Sequence, residues 1–372
     1  MDHLVVNRWT AEQFFAGREA WRSLLDGSSA DPLFMSWEWA SAWWRHHGEG
    51  LRGELCVLAA HSQAGELVGI APFYVHGARH LGSIPVRRME LLGNTWRDSS
   101  AVFSEYLDVI ARAGFREQVG DSIATWLRAA DSWDELVLCN LRTNSVAELI
   151  AAGLQGFAHL RCAETMTAWY IDLPESFEAF TSRLSSNTRR KVVNQREKMP
   201  GLVFENVPPE LRAEALERLR GFVARRFATP SADDSRGRAD FHGDVVANGV
   251  GPGTVHLTEL RAAGRCVSVM LNVRIGGTEY YLQSGFDPLV ANGLSPGMLH
   301  LGYAIEAACH DRVRRFDFLA GHGRHRDYKQ DFATESAPLF TLHIVRQPLL
   351  RALFRVADAL RGRTSHKARG GG

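Results

Sequence analysis

The feature that most constrains this chain is a three-strand pattern that runs directly into a capped helix. Three runs of strand-forming residues lie close together at 254–261, 265–274 and 279–284. Because only AAG and GG separate them, they predict an antiparallel meander. In NGLSPG, which follows, Ser295 can cap a helix and Pro296 suits its first position. A helix begins with unpaired N–H groups, so this stretch predicts a place where an anion could face the backbone.

Length and composition indicate a soluble chain with two domains. Its 372 residues exceed one ordinary core, and 45% hydrophobic with 23% charged residues is typical of globular proteins. Lys and Arg number 43 against 42 Asp and Glu, so net charge gives no reason to expect a nucleic acid or a membrane surface as partner. Five scattered cysteines, no visible signal peptide and no apolar run of spanning length predict a cytoplasmic protein without membrane insertion.

Hairpin patterns followed by alternating helices and strands predict a mixed α/β (α+β) fold. The expected helices include 10–25, 34–48, 187–199, 209–227, 240–248 and 298–309. Strands are expected at 66–75, 106–110, 155–162 and 314–319, and the interior Pro72 predicts a bulge or an interruption in the first of these. Turn-forming and charged residues predict a mobile loop at 228–238.

The two halves follow a similar order of elements. GELVGIAPFYV and GRCVSVMLNVR are each the second strand after a Gly turn, which indicates a weak internal duplication. We therefore expect an N-terminal domain of residues 1–165 and a C-terminal domain of residues 166–362. The polar, Gly-rich residues 363–372 are expected to form a disordered tail.

The helix at 34–48, FMSWEWASAWWRHHG, holds four of the ten tryptophans. Tryptophans on two faces of one helix either pack on both sides or line a groove. Core packing is the more common use of buried aromatics. Trp39 is nevertheless a candidate substrate-binding residue.

Several motifs along the chain resemble one family. They are FMSWEWASAWWRHHG, GELVGIAPFY, SSNTRRKVVNQREK, the pair Arg225–Arg226, SGFDPLVANGLSPG, and FDFLAG followed by Tyr328–Lys329 in DYKQDF, spread over about residues 34 to 333. In this order and spacing the chain resembles the two-domain acyltransferases of the GNAT superfamily. The resemblance is to the CelD-like branch, described for cellulose and exopolysaccharide biosynthesis and related in fold to the Fem-type aminoacyl transferases.

The resemblance implies tandem GNAT-like domains, each with a mixed central sheet flanked by helices, and an acyl-thioester donor bound in the second. Acetyl-CoA or another acyl-CoA would serve as co-substrate, without a metal. The donor-binding candidates are Gln283, Ser284, Ser295, Pro296 and Gly297. Residues 294–297, LSPG, stand where a GNAT donor site normally has a Q/R-x-x-G-x-G/A loop, so a Fem-type aminoacyl-tRNA donor stays open.

Acyl transfer to an amine requires removal of a proton, stabilisation of a developing oxyanion and a thiolate leaving group. Asp317, inside an apolar strand, could act as the base or orient the amine. It could equally pair with Arg314, Arg315 or Lys329. Tyr328 is a candidate proton donor to the thiolate, and Lys329 could bind a phosphate or carboxylate or be an ordinary surface lysine.

Basic residues supply the remaining substrate-binding candidates. Arg225 and Arg226 end a long helix before the predicted loop and could lie over a groove between domains. His322 lies in a loop with His325, and two histidines without a third ligand favour a substrate contact or a solvated loop over a metal site. The helix bearing Arg189, Arg190, Lys191, Arg196 and Lys198 is either a solvated face or a landing site for an anionic acceptor.

Three functions are consistent with these residues. The first is an N-acyltransferase that moves an acyl group, acetyl above all, from coenzyme A to an amine of a sugar, a polysaccharide precursor or a small metabolite. The second is a Fem-like transferase that uses charged tRNA, against which the balanced charge counts because tRNA binding leaves a basic footprint. The third is a catalytically silent binding protein of a polysaccharide assembly complex.

Overall fold

The structure is a computed structural model that describes residues 4–80, 83–97, 102–199, 201–227, 232–290, 294–320 and 326–369. These residues form two compact units. Unit 1 comprises the described residues within 1–97, 103–165 and 340–372, and unit 2 comprises those within 98–102 and 166–339. Residues 340–372 thus belong to unit 1, whereas the sequence analysis assigned 340–362 to the C-terminal domain.

Helices and strands are interspersed along the chain, with several runs of consecutive strands or consecutive helices. The strands are β1 (Val5–Arg8), β2 (Glu54–His61), β3 (Leu67–His80), β4 (Ile84–Leu91), β5 (Ile110–Ala111), β6 (Glu135–Arg142), β7 (His159–Asp172), β8 (Val203–Asn206), β9 (Thr254–Ala262), β10 (Arg265–Ile275), β11 (Thr278–Phe286), β12 (Arg315–Asp317) and β13 (Glu335–Val345). The α-helices are α1 (Ala11–Ala16), α2 (Arg18–Asp26), α3 (Trp37–Trp43), α4 (Arg116–Ala129), α5 (Val146–Gly153), α6 (Phe177–Ser182), α7 (Ser186–Val192), α8 (Arg212–Phe227), α9 (Ala232–Asn248), α10 (Pro296–His310) and α11 (Pro348–Arg369). Among the described helices, none combines the length and the apolar character needed to cross a bilayer.

In unit 1 the strands follow the order β1-β2-β3-β4-β6, and β5 pairs with β3. The pairings are antiparallel except for β4 with β6, which is parallel. Helices α4 and α5 pack closely, because a Cβ added at Gly120 would lie 2.8 Å from Leu149 and one at Gly153 would lie 2.8 Å from Ala124.

Pro72 does not interrupt β3, which corrects the expectation of a bulge or break there. It pairs with Val57 of β2, and its carbonyl accepts from Leu92 N–H at 2.8 Å. On the other edge of β3, the β5 pairing ends at Ile70 and the β4 pairing begins at Phe73. Along that edge, Pro72 therefore lies in the gap between the β5 pairing and the β4 pairing, so its missing N–H removes no hydrogen bond between strands.

In unit 2 the strands follow the order β7-β12-β11-β10-β9-β8. β9, β10 and β11 form the predicted antiparallel meander, and β12 runs parallel to β11 and antiparallel to β7. The two faces of this sheet are covered differently because successive residues of β10 point to opposite sides. Met270 packs with Leu301 and Ile305 of α10, whereas Val269 and Leu271 pack with α8. The predicted mixed α/β fold, with mixed sheets flanked by helices, is confirmed.

Several element bounds differ from the sequence expectation. The helix expected at 10–25 breaks at Gly17, where a Cβ would lie 2.8 Å from the Trp9 ring. The loop expected at 228–238 is helical from Ala232, since α9 begins there. The tail expected at 363–372 is helical as far as Arg369, because α11 continues into it. The strand expected at 106–110 is reduced to the two residues of β5.

Candidate functional site

The sheet of unit 2 opens between β11 and β12. Their parallel pairing covers Thr278 to Tyr280 on β11 and ends where Tyr280 meets Asp317, the last residue of β12. β11 continues to Phe286, and in the described sheet no strand pairs with it on that side beyond Tyr280. Alternate residues of this free edge direct N–H and C=O groups away from β10. The opening can therefore accept an extended ligand that carries amide groups.

A register irregularity lies at the same level of the sheet. Leu271 of β10 pairs with Gln283, but the next residue of β10 pairs with Tyr281, so Leu282 is an extra residue on β11. Such a bulge bends a strand and increases its twist. Across the bulge, the hydroxyls of Tyr281 and Ser284 lie 2.5 Å apart. Gln283 and Ser284, two predicted donor-binding residues, therefore follow the bulge on the open edge of β11.

The helix after β11 begins where the sequence predicted. α10 starts at Pro296, preceded by Ser295, whose side chain makes no capping hydrogen bond. The N–H groups of Met298 and Leu299 both donate to the Ser295 carbonyl at 3.0 Å. A Cβ added at Gly297 would lie 2.9 Å from the ring of Phe286, the last residue of β11. Glycine at this position thus lets the start of the helix approach the end of the strand closely.

A basic segment adjoins this helix start. Ser295 N–H donates to Gln195 Oε1 at 3.3 Å, and Gln195 belongs to the 3₁₀ segment Asn194–Lys198 that follows α7. Arg196 holds the segment on α10 through Glu306 at 2.7 Å, with its guanidinium 3.8 Å from the Tyr303 ring centroid. Nearby cations without a salt bridge among the described residues are Arg189, Arg190, Lys191 and Lys198. Cations and a helix N-terminus together favour an anion.

A buried polar network anchors α10 to the meander. His300 is fully buried, with Nε2 2.9 Å from the Thr258 hydroxyl and Nδ1 2.9 Å from the Ser268 hydroxyl. Ser268 itself donates to the Gly285 carbonyl at 3.0 Å, so it accepts from Nδ1–H, and Nε2 accepts from Thr258. Burial lowers the pKa of His300 to about 3. His300 is thus a neutral positioning residue that sequence reasoning missed, because its partners lie on distant strands.

At the end of β12, Asp317 and Lys329 hold the backbone that follows the opening. Asp317 is 2% exposed, and its Oδ1 accepts from Leu319 N–H at 2.8 Å. Lys329 is buried and its Nζ donates to the carbonyls of Phe318 and Leu319 at 2.6 and 2.9 Å. The surface-lysine interpretation of Lys329 is therefore wrong. Tyr328 is half-buried and its ring lies edge-on to Phe332 at 6.4 Å.

The two arginines proposed as partners of Asp317 make other contacts. Arg315 pairs with Asp172 at 2.9 Å, and Arg314 donates to the Gly276 carbonyl at 2.8 Å. Phe316 and Phe318 pack into the cluster that includes α10. Because strand residues alternate, Asp317 points to the opposite face, the one covered by α8.

That same face carries a groove of about 500 Å³. Its lining includes Arg218, Phe222 and Arg225 of α8, with Arg265, Cys266 and Asp287 of the strands. Arg218 bonds Glu259 at 2.6 Å and Arg265 bonds Asp287, whereas Arg225 lies over the Phe222 ring at 5.1 Å and has no salt bridge in the described part of the chain. The groove lies within unit 2. The side chains of Arg226 and His322, the other substrate-binding candidates on this side, lie outside the described residues.

Trp39 belongs to the core of unit 1. Its side chain is 1% exposed, its Nε1 donates to Ser104 Oγ at 2.8 Å, and its ring lies edge-on to Phe34 at 5.0 Å. A ring enclosed in this way cannot reach a ligand. The substrate-binding interpretation of Trp39 is corrected in favour of core packing.

Unit 1 also contains a buried charge cluster that sequence reasoning missed. The potential metal-ligand atoms of His80, Glu135 and His343 lie within 4.8 Å of one another. Glu135 Oε1 accepts from Arg88 at 2.5 Å, and Oε2 is bonded by His80 and, at 2.8 Å, by His343. Its two oxygens are thus already engaged by three donors, so the cluster forms a hydrogen-bonded network. In the sequence, His80 and His343 lie 55 and 208 positions from Glu135, so no local sequence motif indicates the cluster.

Four of the five cysteines lack the properties of a nucleophile. Burial raises the pKa of Cys56, Cys266 and Cys309 to about 11 in each case. Cys139 is buried, and burial raises its pKa as well, whereas Cys162 is exposed. The four thiols whose pKa is raised are therefore unsuited to a covalent acyl intermediate, and direct transfer needs none.

Residues 182–330 match the family model described as an acetyltransferase (GNAT) domain. No curated protein sequence matches the chain significantly. Among solved structures, the fold is similar to FemX, with TM-score 0.59 and 10% identity over 89% of this chain and 97% of that one.

Two further solved structures share this fold. A conserved protein of unknown function from Bacteroides thetaiotaomicron has TM-score 0.57 and 11% identity, over 92% of this chain and 99% of that one. The C-terminal domain of a putative lysylphosphatidylglycerol synthetase from Agrobacterium fabrum has TM-score 0.53 and 10% identity, over 93% and 96%. At such identities these likenesses concern the fold alone. The opening, the bulge and the start of α10 all lie within the matched residues 182–330.

Proposed function

We propose that this protein, an acyltransferase with a GNAT domain over residues 182–330, transfers an acyl group, acetyl above all, from acyl-CoA to an amine. The observation that carries the proposal is the opening between β11 and β12 beside the start of α10. A strand edge without a partner among the described strands and a helix N-terminus beside a basic segment can bind the two chemically different parts of such a donor.

Each part of the donor has candidate residues in unit 2. The first turn of α10, with Ser295, Pro296 and Gly297, and the adjoining basic segment would bind the phosphates. The free edge of β11 at Gln283 and Ser284 would bind the amide-bearing arm, much as an added strand pairs with a sheet edge. When bound, the donor supplies an activated acyl carbonyl and a thiolate leaving group.

The acceptor would approach from the α8 face. Asp317 points to that face at the end of β12, where a carboxylate can take a proton from the attacking amine. Lys329 supports Asp317 indirectly, since it holds the backbone of Phe318 and Leu319. Tyr328 is the proposed proton donor to the leaving thiolate. Arg225, in the groove on the same face of the sheet, is the proposed contact for an anionic group of the acceptor.

The resemblance to the CelD-like branch supports a sugar or polysaccharide precursor as the acceptor within this class. Free cysteines without a disulfide fit a reducing compartment, so we place the reaction in the cytoplasm. The near-balanced charge of the chain argues against aminoacyl-tRNA, the Fem-like donor, because a tRNA-binding protein normally carries excess positive charge.

Ser295 offers a sharp test of the donor site. Its side chain makes no capping bond, so Ser295→Asp should leave the fold intact or stabilise it through the helix dipole. A carboxylate there would repel a diphosphate, and we expect acetyl-CoA affinity to fall about tenfold or more in a calorimetric titration. Ser295→Asn, of similar size and without charge, is the matched control and should bind nearly as the wild type does.

Two results would overturn the proposal. Equal affinity of the Ser295→Asp and Ser295→Asn variants for acetyl-CoA would remove the helix start from the donor site. No response of the wild type to any acyl-CoA, together with binding of charged tRNA, would replace acyl-CoA with an aminoacyl donor.

A further inference from the structure

Helix α11 carries a row of exposed apolar side chains. Leu349, Leu353 and Val356 are 55%, 44% and 62% exposed. Their spacing of four and three residues places them along one side of the helix. Leu360 continues the spacing and is 58% exposed. Single exposed apolar residues are common, but a row over about three helical turns indicates an interaction surface.

The other side of α11 attaches the helix to unit 1. Leu350 is fully buried in a cluster with Val86 and Val345. The ring of Phe354 lies edge-on to both imidazoles of the buried charge cluster, at 5.5 Å from His80 and 5.4 Å from His343. Since this side is fixed against the unit, the row of Leu349, Leu353 and Val356 faces outward.

Positive charge is concentrated in the same part of the chain. Residues 348–372 contain six Lys and Arg and one carboxylate, a net charge of +5 in a chain whose net charge is +1. The cations are Arg351, Arg355, Arg361, Arg363, Lys367 and Arg369. The one carboxylate, Asp358, pairs with His159 at 3.0 Å and Arg161 at 3.4 Å, so unit 1 neutralises it. An outward apolar row on a segment whose sequence carries a net charge of +5 is the pattern of a helix that lies in a membrane interface.

We propose that α11 binds the surface of an anionic lipid bilayer. Leu349, Leu353 and Val356 would enter the boundary between headgroups and acyl chains, and the cations would lie near lipid phosphates. A second copy of this chain is a poorer occupant of the same row. Two such helices in contact would bring +5 against +5, and like charges across an interface are costly.

The test is co-sedimentation of the full chain with lipid vesicles. We expect binding to phosphatidylcholine vesicles that contain about 30% phosphatidylglycerol, little binding to phosphatidylcholine alone, and loss of binding as salt rises from about 50 to about 500 mM. The double variant Leu353→Ser with Val356→Ser should lower the partition coefficient about tenfold or more, because it removes most of the apolar area that the bilayer would bury.

A matched control separates this surface from general stickiness. Val203 and Leu211, 49% and 42% exposed, lie in unit 2, and the double variant Val203→Ser with Leu211→Ser should bind vesicles as the wild type does. Replacing Arg363 and Lys367 with Gln should weaken binding about 30-fold, at roughly 1 kcal/mol per cation. Circular dichroism of each variant would verify that the fold is retained.

Three outcomes would overturn the proposal. The first is equal binding to neutral and anionic vesicles, and the second is no binding to either. The third is a concentration-dependent dimer in light scattering that the Leu353→Ser, Val356→Ser variant dissociates without any vesicle binding, which would assign the row to a second copy. Vesicle binding is independent of acyl-CoA binding, so either proposal can fail without the other.

Discussion

At the scale of single residues, the surroundings of three buried ionisable groups in unit 2 define their roles. His300 is held neutral between two hydroxyls. Lys329 donates to two main-chain carbonyls, so its charge serves the backbone after β12. Asp317 bonds Leu319 N–H through one oxygen and lies where the β11–β12 pairing ends. Of the three, Asp317 is the residue that we propose meets an acceptor amine.

Replacement of Asp317 tests this role. In Asp317→Asn the amide oxygen can still accept from Leu319 N–H, so we expect a nearly unchanged melting temperature. Loss of a general base should lower kcat by about 10²- to 10⁴-fold with little effect on the KM for acyl-CoA. Asp317→Ala, which also removes the acceptor, should add a loss of stability of about 1–3 kcal/mol. A kcat of Asp317→Asn within a few-fold of the wild-type value would contradict a catalytic role.

At the scale of elements, local sequence patterns predicted those helix starts and turns whose formation depends only on residues a few positions away. The start of α10 at Pro296 and the meander of β9 to β11 follow from cap and turn chemistry, which acts over a few positions. The opening beside β11 and the bulge at Leu282 depend on which distant strand pairs with which, and no local propensity encodes that pairing. Pro72 shows the same limit, since its tolerance depends on where two partner strands end.

Side-chain roles were harder to predict than elements. The tryptophan-rich helix correctly suggested burial, but only the tertiary contacts with Phe34 and Ser104 show how Trp39 is enclosed. His300 was missed because its partners on β9 and β10 are 42 and 32 positions away. Buried polar networks are formed by tertiary structure, so sequence periodicity carries little information about them.

The packing of α10 against α7 gives a prediction at this scale. A Cβ added at Gly302 would lie 2.6 Å from both Cγ1 and the carbonyl oxygen of Val192. We therefore expect Gly302→Ala to destabilise unit 2 by about 1–3 kcal/mol, measured by denaturant unfolding. Gly243 of α9 has nothing within 4 Å of its added Cβ, so Gly243→Ala should stabilise by roughly 0.5–1 kcal/mol. Equal effects of the two variants would disprove this close approach of the helices.

At the scale of the whole molecule, His300 makes stability depend on pH. Its pKa is lowered to about 3 in the folded state, so below its ordinary value of about 6.5 the unfolded chain binds a proton that the folded chain does not. This contribution to stability is present above pH ~6.5 and is lost as pH falls, by roughly 1.4 kcal/mol per pH unit.

A non-titrating variant isolates that contribution. Gln at position 300 keeps hydrogen-bonding capacity without a titrating ring, so the stability difference between the wild type and His300→Gln should shrink by roughly 1.4 kcal/mol between pH 7.5 and 5.5. Denaturant unfolding at the two pH values measures it. A difference that stays constant with pH would show that folding leaves the pKa of His300 unchanged.

The long-range pairings within each unit have a consequence for how the chain is made. In unit 2, Asp172 meets Arg315 across 143 positions, and in unit 1, Glu135 meets His343 across 208. When the ribosome has released only the first half of the chain, Asp172 and Glu135 are present but their partners, Arg315 and His343, have not yet been synthesised. Until residue 343 emerges, the nascent chain holds His80, Arg88 and Glu135 without the His343 imidazole that completes their network, and synthesis must nearly finish before either unit can close.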